Sequence, residues 1–248
     1  GYYSVAISNT VGGILSAKAN LAVWQLAQWG GWLGWSFAFP VGPPPELADL
    51  TAIALYDYLL GINANGNLVS MGGSPPVYAP PGLSNIVGVA SGGHEAVALK
   101  SNGTVTVFAP TPASPSYYKT NAPAPAGLSN VIAVAAGFSH YLALKSDGEV
   151  VSWGPYGNWY NLPAGRATNV PAGLSNAISI SAREGQSLAL TSDGRVTAWG
   201  NSTNVPATLS NVIAISAEIG YNLALRDDGQ VVAWANRVAS FRPTRFSV

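Results

Sequence analysis

Residues Gly127–Gly154 read GLSNVIAVAAGFSHYLALKSDGEVVSWG, and this stretch returns along the chain. Gly173–Gly200 reads GLSNAISISAREGQSLALTSDGRVTAWG, and Thr208–Ala235 reads TLSNVIAISAEIGYNLALRDDGQVVAWA. Upstream, Gly82–Ala109 reads GLSNIVGVASGGHEAVALKSNGTVTVFA, and a degenerate copy runs from Leu47 to Gly72. The turn pairs Asn65-Gly66, Asn102-Gly103, Asp147-Gly148, Asp193-Gly194 and Asp228-Gly229 fix the register, at spacings of 37, 45, 46 and 35 residues. Such a period is that of a propeller blade, roughly 40–50 residues.

Each copy has one internal grammar. A run such as Val131-Ile132-Ala133-Val134 suits a buried strand, because branched side chains pack well on a pleated surface. Tyr141-Leu142-Ala143-Leu144 follows a short turn as a second strand. The Asn-Gly or Asp-Gly pair then reverses the chain, since its preference for positive φ fits a tight hairpin. Glu149-Val150-Val151-Ser152-Trp153 closes that hairpin as a third strand. One such unit cannot cover its own apolar faces, whereas units stacked around an axis can. Small residues recur where inner strands would crowd, at Ala90, Ala135, Ser181 and Ser216. Phe108, Trp153, Trp199 and Trp234 recur at one strand-end position, with Met71 in the first copy, and read as packing between blades.

The repeated pattern resembles the repeats of the regulator-of-chromosome-condensation propellers, in the short style of large bacterial exported proteins. The resemblance covers about residues 24–235. It implies an all-β fold, a β-propeller of five to six short blades. The family's founder has seven blades and exchanges nucleotide on a small GTPase. That activity is not carried over, because the repeats here are fewer and shorter and no wedge for a GTPase is visible.

The chain divides at about residue 23. Residues 1–23, GYYSVAISNTVGGILSAKANLAV, resemble the last two strands of an immunoglobulin-like domain. Tyr3 sits where the tyrosine-corner residue would be, and Val5 where the disulfide cysteine would be. Two strands alone are marginal in water. This N-terminal hairpin therefore has three possible settings: a remnant of an upstream domain, a contributor to a blade closed by Thr244–Val248, or a strand donor to a neighbouring subunit. The propeller itself occupies 24–248.

Composition narrows the partners. Only 9% of the 248 residues are charged and the net charge is zero. That balance argues against nucleic acid or an anionic membrane, and it does little to oppose self-association. Cysteine is absent, which removes disulfides and thiolate chemistry. No apolar run reaches the roughly 18 residues of a membrane span. The absence of a leader at Gly1 is read as a start after processing or inside a larger precursor.

Chemistry is sparse. There is no nucleophile elbow, phosphate loop, zinc-protease motif or calcium loop. The two histidines, His94 and His140, occupy non-equivalent positions, and Ser139 beside His140 would point to the opposite strand face. The Asp-Gly carboxylates are turn formers, one per turn, too few for calcium. No enzyme activity, cofactor or metal is expected.

Two groups are candidates for binding. Trp24, Trp29, Trp32 and Trp35 read either as an aromatic platform for a glycan or protein, or as a loop packed across one end of the propeller. The second is a column that varies while its surroundings repeat: Tyr58, Glu95, His140, Gln186 and Tyr221, with Asp57, His94, Arg183, Glu184 and Glu218 nearby. Equivalent positions on a repeat scaffold form a ring, which serves as a binding face or as ordinary exposed rim. For His140 the resemblance implies a structural role in its turn. The functional expectation is a non-enzymatic, secreted or cell-surface structural and adhesive module. It would self-associate, as in a homopolymeric filament, or bind another surface protein; the alternative is a carbohydrate- or protein-binding propeller.

Overall fold

A computed structural model describes residues 50–55, 59–71, 80, 82–92, 95–108, 123–138, 140–154, 167–201 and 203–235. The N-terminal hairpin of 1–23 and its pairing, the four tryptophans from Trp24 to Trp35, and the C-terminal strand Thr244–Val248 lie outside these residues. Among the described residues there is no helix, and none therefore long and apolar enough to cross a membrane.

Fifteen strands form five three-stranded antiparallel sheets, each a simple meander. The first holds β1 (Leu50–Leu55), β2 (Leu59–Asn63) and β3 (Leu68–Met71), and the second β4 (Ile86–Ser91), β5 (Ala96–Lys100) and β6 (Val105–Phe108). The third holds β7 (Val131–Ala136), β8 (Tyr141–Lys145) and β9 (Val150–Trp153). The fourth holds β10 (Ala177–Arg183), β11 (Gln186–Thr191) and β12 (Val196–Gly200), and the fifth β13 (Val212–Ala217), β14 (Tyr221–Arg226) and β15 (Val231–Ala235). The first strand of every sheet packs on the first strand of the next, and the second strand of each sheet joins that contact. These first strands are the inner strands of successive blades.

Each core lies between two blades. Leu142 and Leu144 of β8 meet Ala177, Ile180 and Trp199 of the fourth blade. Leu188 and Leu190 of β11 meet Val212, Ala224 and Trp234 of the fifth. Leu60 and Ile62 meet Ile86, Val89 and Phe108, and Val97 and Leu99 meet Val131, Val134 and Trp153. Apolar area removed from water at these joints is the main force holding the repeats together. Trp153 also stacks at a tilt on Tyr141, ring centroids 5.5 Å apart. Ala90, Ala135 and Ser181 are fully buried on the inner strands, and the Ser181 hydroxyl accepts from the Ala217 N–H of the next blade at 2.7 Å.

The repeated Ser-Asn and Asp-Gly pairs explain how blades lock in register. Asn85, Asn130, Asn176 and Asn211 all take left-handed φ values of 55–58°, a conformation asparagine tolerates better than most side chains. The next residue donates its N–H to the turn glycine of the preceding blade: Ile86 to Gly66, Val131 to Gly103, Ala177 to Gly148 and Val212 to Gly194. Only the glycine of each Asp-Gly pair has positive φ. With Gly148 N–H donating to Lys145 O and Lys145 N–H to Glu149 O, the hairpin is a type I turn with a glycine bulge, rather than a two-residue loop. Asp147 Oδ1 accepts from Glu149 N–H at 3.0 Å and holds the turn.

A bulge recurs at the start of every inner strand. Register shifts fall at Leu50/Ala52, Ile86/Gly88, Val131/Ala133, Ala177/Ser179 and Val212/Ala214. The inserted residue is Thr51, Val87, Ile132, Ile178 or Ile213. The expected continuous buried run Val131–Val134 is corrected here: the bulge expels Ile132 from the ladder and leaves it 57% exposed.

Candidate functional site

The variable column sits at the turn from first to second strand. Tyr58 lies outside the described residues. Glu95, His140 and Gln186 are only 6%, 2% and 2% exposed, so they do not form the exposed ring expected of a rim or binding face. Each instead reaches the second strand of the following blade. The Tyr141 hydroxyl donates to Glu95 Oε2. His140 Nε2 lies 2.8 Å from Ser187 Oγ, which is 3.4 Å from the carbonyl of Ala167. Gln186 Nε2 donates to Asn222 Oδ1 and to the carbonyl of Glu218 at 3.1 Å. The pairing rule is constant: the column residue of one blade meets the residue one place beyond that column in the next. Only the chemistry changes, from carboxylate–phenol to imidazole–hydroxyl to amide–amide.

The reason is crowding. Gly137 N–H donates to His140 O at 2.8 Å, and Phe138 N–H donates to Glu184 O of the next blade at 2.8 Å. A Cβ on Gly92 would lie 2.5 Å from Gly137 O, and one on Gly137 would lie 2.1 Å from His140 Cε1. Turns packed this closely leave the column side chains no route outward. Tyr221, in the fifth blade, stays partly exposed.

Electrostatics follow from that burial. Desolvation lowers the His140 pKa from 6.5 to about 4, against a smaller upward pull from the Glu184 and Gln186 backbone, so the ring is neutral at pH 7. Burial pushes the Glu218 carboxyl up, with the Arg183 charge opposing it. The Tyr221 hydroxyl is raised by burial and by Glu218. Glu184 takes a φ of 50° at this turn. Among the described residues no group of three His, Asp or Glu side chains is placed to hold a metal ion.

The hairpin end of the blades differs. Lys145 pairs with Asp147 at 3.3 Å and with Glu149, Arg195 pairs with Asp193 at 3.3 Å, and Arg226 pairs with Asp228 at 3.2 Å. Hydrogen bonds from the Glu149 N–H and the Thr191 hydroxyl, ahead of the paired cations, lower the Asp147 and Asp193 carboxyls, and the bonds to Glu149 and Asp147 raise Lys145. At this same end stand the bulge residues Val87, Ile132, Ile178 and Ile213, exposed by 53%, 57%, 56% and 50%. They form an apolar arc on strands that pack directly against one another. Sequence reasoning missed this arc. Its signal was present as a β-branched residue in one column of four repeats, but that column was read as buried strand.

Phe108, Trp153, Trp199 and Trp234 are buried between blades, and Trp199 Nε1 donates to Ala167 O at 2.9 Å. Five meanders stacked through their inner strands, with a recurrent aromatic at each joint, define a β-propeller of short blades. The blades are RCC1-like: the family described as "Regulator of chromosome condensation (RCC1) repeat" matches residues 131–157. Solved structures agree on the fold. Prp20p from Saccharomyces cerevisiae superposes with a TM-score of 0.55 at 19% identity, over 75% of this chain and 58% of that one. The CRINKLY WD40 ectodomain of the Arabidopsis thaliana receptor kinase ACR4 gives a TM-score of 0.56 at 17% identity, over 76% of this chain and 65% of that one. Human WBSCR16 gives 0.53 at 17% identity, over 73% and 60%. This chain thus spans under two thirds of each. No curated protein sequence matches it at a significant level.

Proposed function

We propose that this chain is a non-enzymatic protein-binding propeller module of secreted or cell-surface type, acting through the hairpin end of its blades. The observation that carries the reading is the apolar arc of Val87, Ile132, Ile178 and Ile213. A bulge position facing water has no packing need for isoleucine, and the first blade manages with Thr51. Contiguous exposed apolar surface framed by polar turns is the usual mark of a protein interface. The paired hairpin charges supply that polar frame. Likeness to propellers that bind proteins, such as Prp20p with Gsp1p and histones, supports the class of function but not the partner. The sparse charge of 9% and the lack of cysteine are compatible with an exported module.

The test is selection of a displayed random-peptide library on the folded protein. Recovered peptides should be apolar and should lose binding to the double variant Ile132→Thr/Ile178→Thr. Peptides that bind both proteins equally would refute the arc as the binding face.

A further inference from the structure

Resting on that reading, we propose that the occupant of the apolar arc is a second copy of this chain, docked hairpin end to hairpin end about a two-fold axis. A two-fold interface must be self-complementary, each patch meeting its own image. The arc meets this condition in its centre, because apolar side chains pack on apolar side chains. Among the described residues, Ile219 is the one exposed large apolar residue at the other end.

The frame meets the condition as well. The hairpins of the third, fourth and fifth blades each carry both signs, as Lys145 with Asp147 and Glu149, Arg195 with Asp193, and Arg226 with Asp228. With three cations, Lys145, Arg195 and Arg226, interspersed among four carboxylates, the frame has too small a net charge to draw a strongly charged partner. Set against its own image, it offers carboxylates to the facing Lys and Arg side chains. The chain's net charge of zero removes long-range repulsion between copies. A stable interface needs about 800 Å² from each partner, so the arc forms the apolar centre and the hairpins the surrounding contacts.

Threonine is the diagnostic substitution, since the first blade already carries Thr51 at the bulge. Sedimentation of the full chain over a range of concentrations should show a species of twice the 25.5 kDa chain mass. Ile132→Thr/Ile178→Thr should raise its dissociation constant at least tenfold, with an unchanged far-UV circular dichroism spectrum, and an unchanged thermal midpoint at a dilution where both proteins are monomeric, showing that the fold is intact. Ile219→Thr, at the opposite end, should leave the mass distribution as it is. A wild-type protein that is monomeric at every concentration overturns the proposal, as does a dimer indifferent to the threonine pair. If the monomer still selects peptides that the threonine pair abolishes, only the second copy fails as occupant. If it selects none, the binding face fails with it.

Discussion

His140 of the third blade and Ser187 of the fourth share a 2.8 Å hydrogen bond with both side chains sealed from solvent. The bond ties two blades at the end opposite the Asp-Gly hairpins, and it places a titratable ring where, among the described residues, a charge has no counter-ion at ion-pairing distance. Its neighbours on either side, Glu95 with Tyr141 and Gln186 with Asn222, do the same task without a histidine.

Acid should therefore weaken the fold through His140. The folded ring has its pKa depressed to about 4 against 6.5 when unfolded, so the unfolded chain binds the extra proton between those values. The contribution is complete above pH 6.5 and is lost as pH falls toward 4, a change of about 3 kcal/mol. In denaturant melts, the stability of wild type relative to His140→Gln should fall by that amount between pH 7 and pH 4. Parallel curves would contradict it. Glu218 works in the opposite direction: its raised carboxyl makes Glu218→Gln gain stability relative to wild type as pH rises through the carboxylate range.

Two turn glycines with the same backbone angle should respond differently to alanine. Gly148 has φ 83° and Gly229 has φ 81°, but a Cβ on Gly148 would lie 2.8 Å from Asn176 Cα, while one on Gly229 meets open space. Gly229→Ala should cost about 1–2 kcal/mol, the left-handed penalty alone. Gly148→Ala should cost roughly 1–3 kcal/mol more, because it also wedges two blades apart. Equal losses in a chemical melt would mean the blade joint is not where it is placed here.

Core leucines should report the same joint. Leu188 is fully buried against the fifth blade, whereas its counterpart Leu223 is partly exposed. Leu188→Ala should destabilise by about 2–5 kcal/mol and Leu223→Ala by clearly less. Trp199→Ala, which also abandons the Ala167 carbonyl, belongs with the larger group at about 3–5 kcal/mol.

Much of the architecture is legible in the sequence alone, because one physical fact dominates it: Asp-Gly reversals at blade spacing with branched strands between them. The aromatic column from Phe108 to Trp234 was legible as packing for the same reason. The site was not. Glu95 and Gln186 read as surface residues because they are polar and variable, and nothing local tells that a turn abuts its neighbour; for His140 only the family resemblance points to a structural place in its turn. Ile132 was misread in the reverse sense, since one inserted residue flips the inside–outside alternation and a bulge leaves no plain mark in the sequence. Trp24, Trp29, Trp32 and Trp35, and the glycan reading attached to them, lie outside the described residues.

The absence of cysteine in the native chain makes inside and outside directly measurable. Single thiols placed as Ile132→Cys and Ile178→Cys, and as Glu95→Cys and Gln186→Cys, can be timed against a water-soluble thiol reagent in the folded protein, at a dilution where copies do not associate. The arc thiols should react at close to the rate of the unfolded chain, and the column thiols should be slowed at least a hundredfold. Fast reaction at Glu95→Cys and Gln186→Cys with protection at Ile132→Cys and Ile178→Cys would contradict the account at its centre.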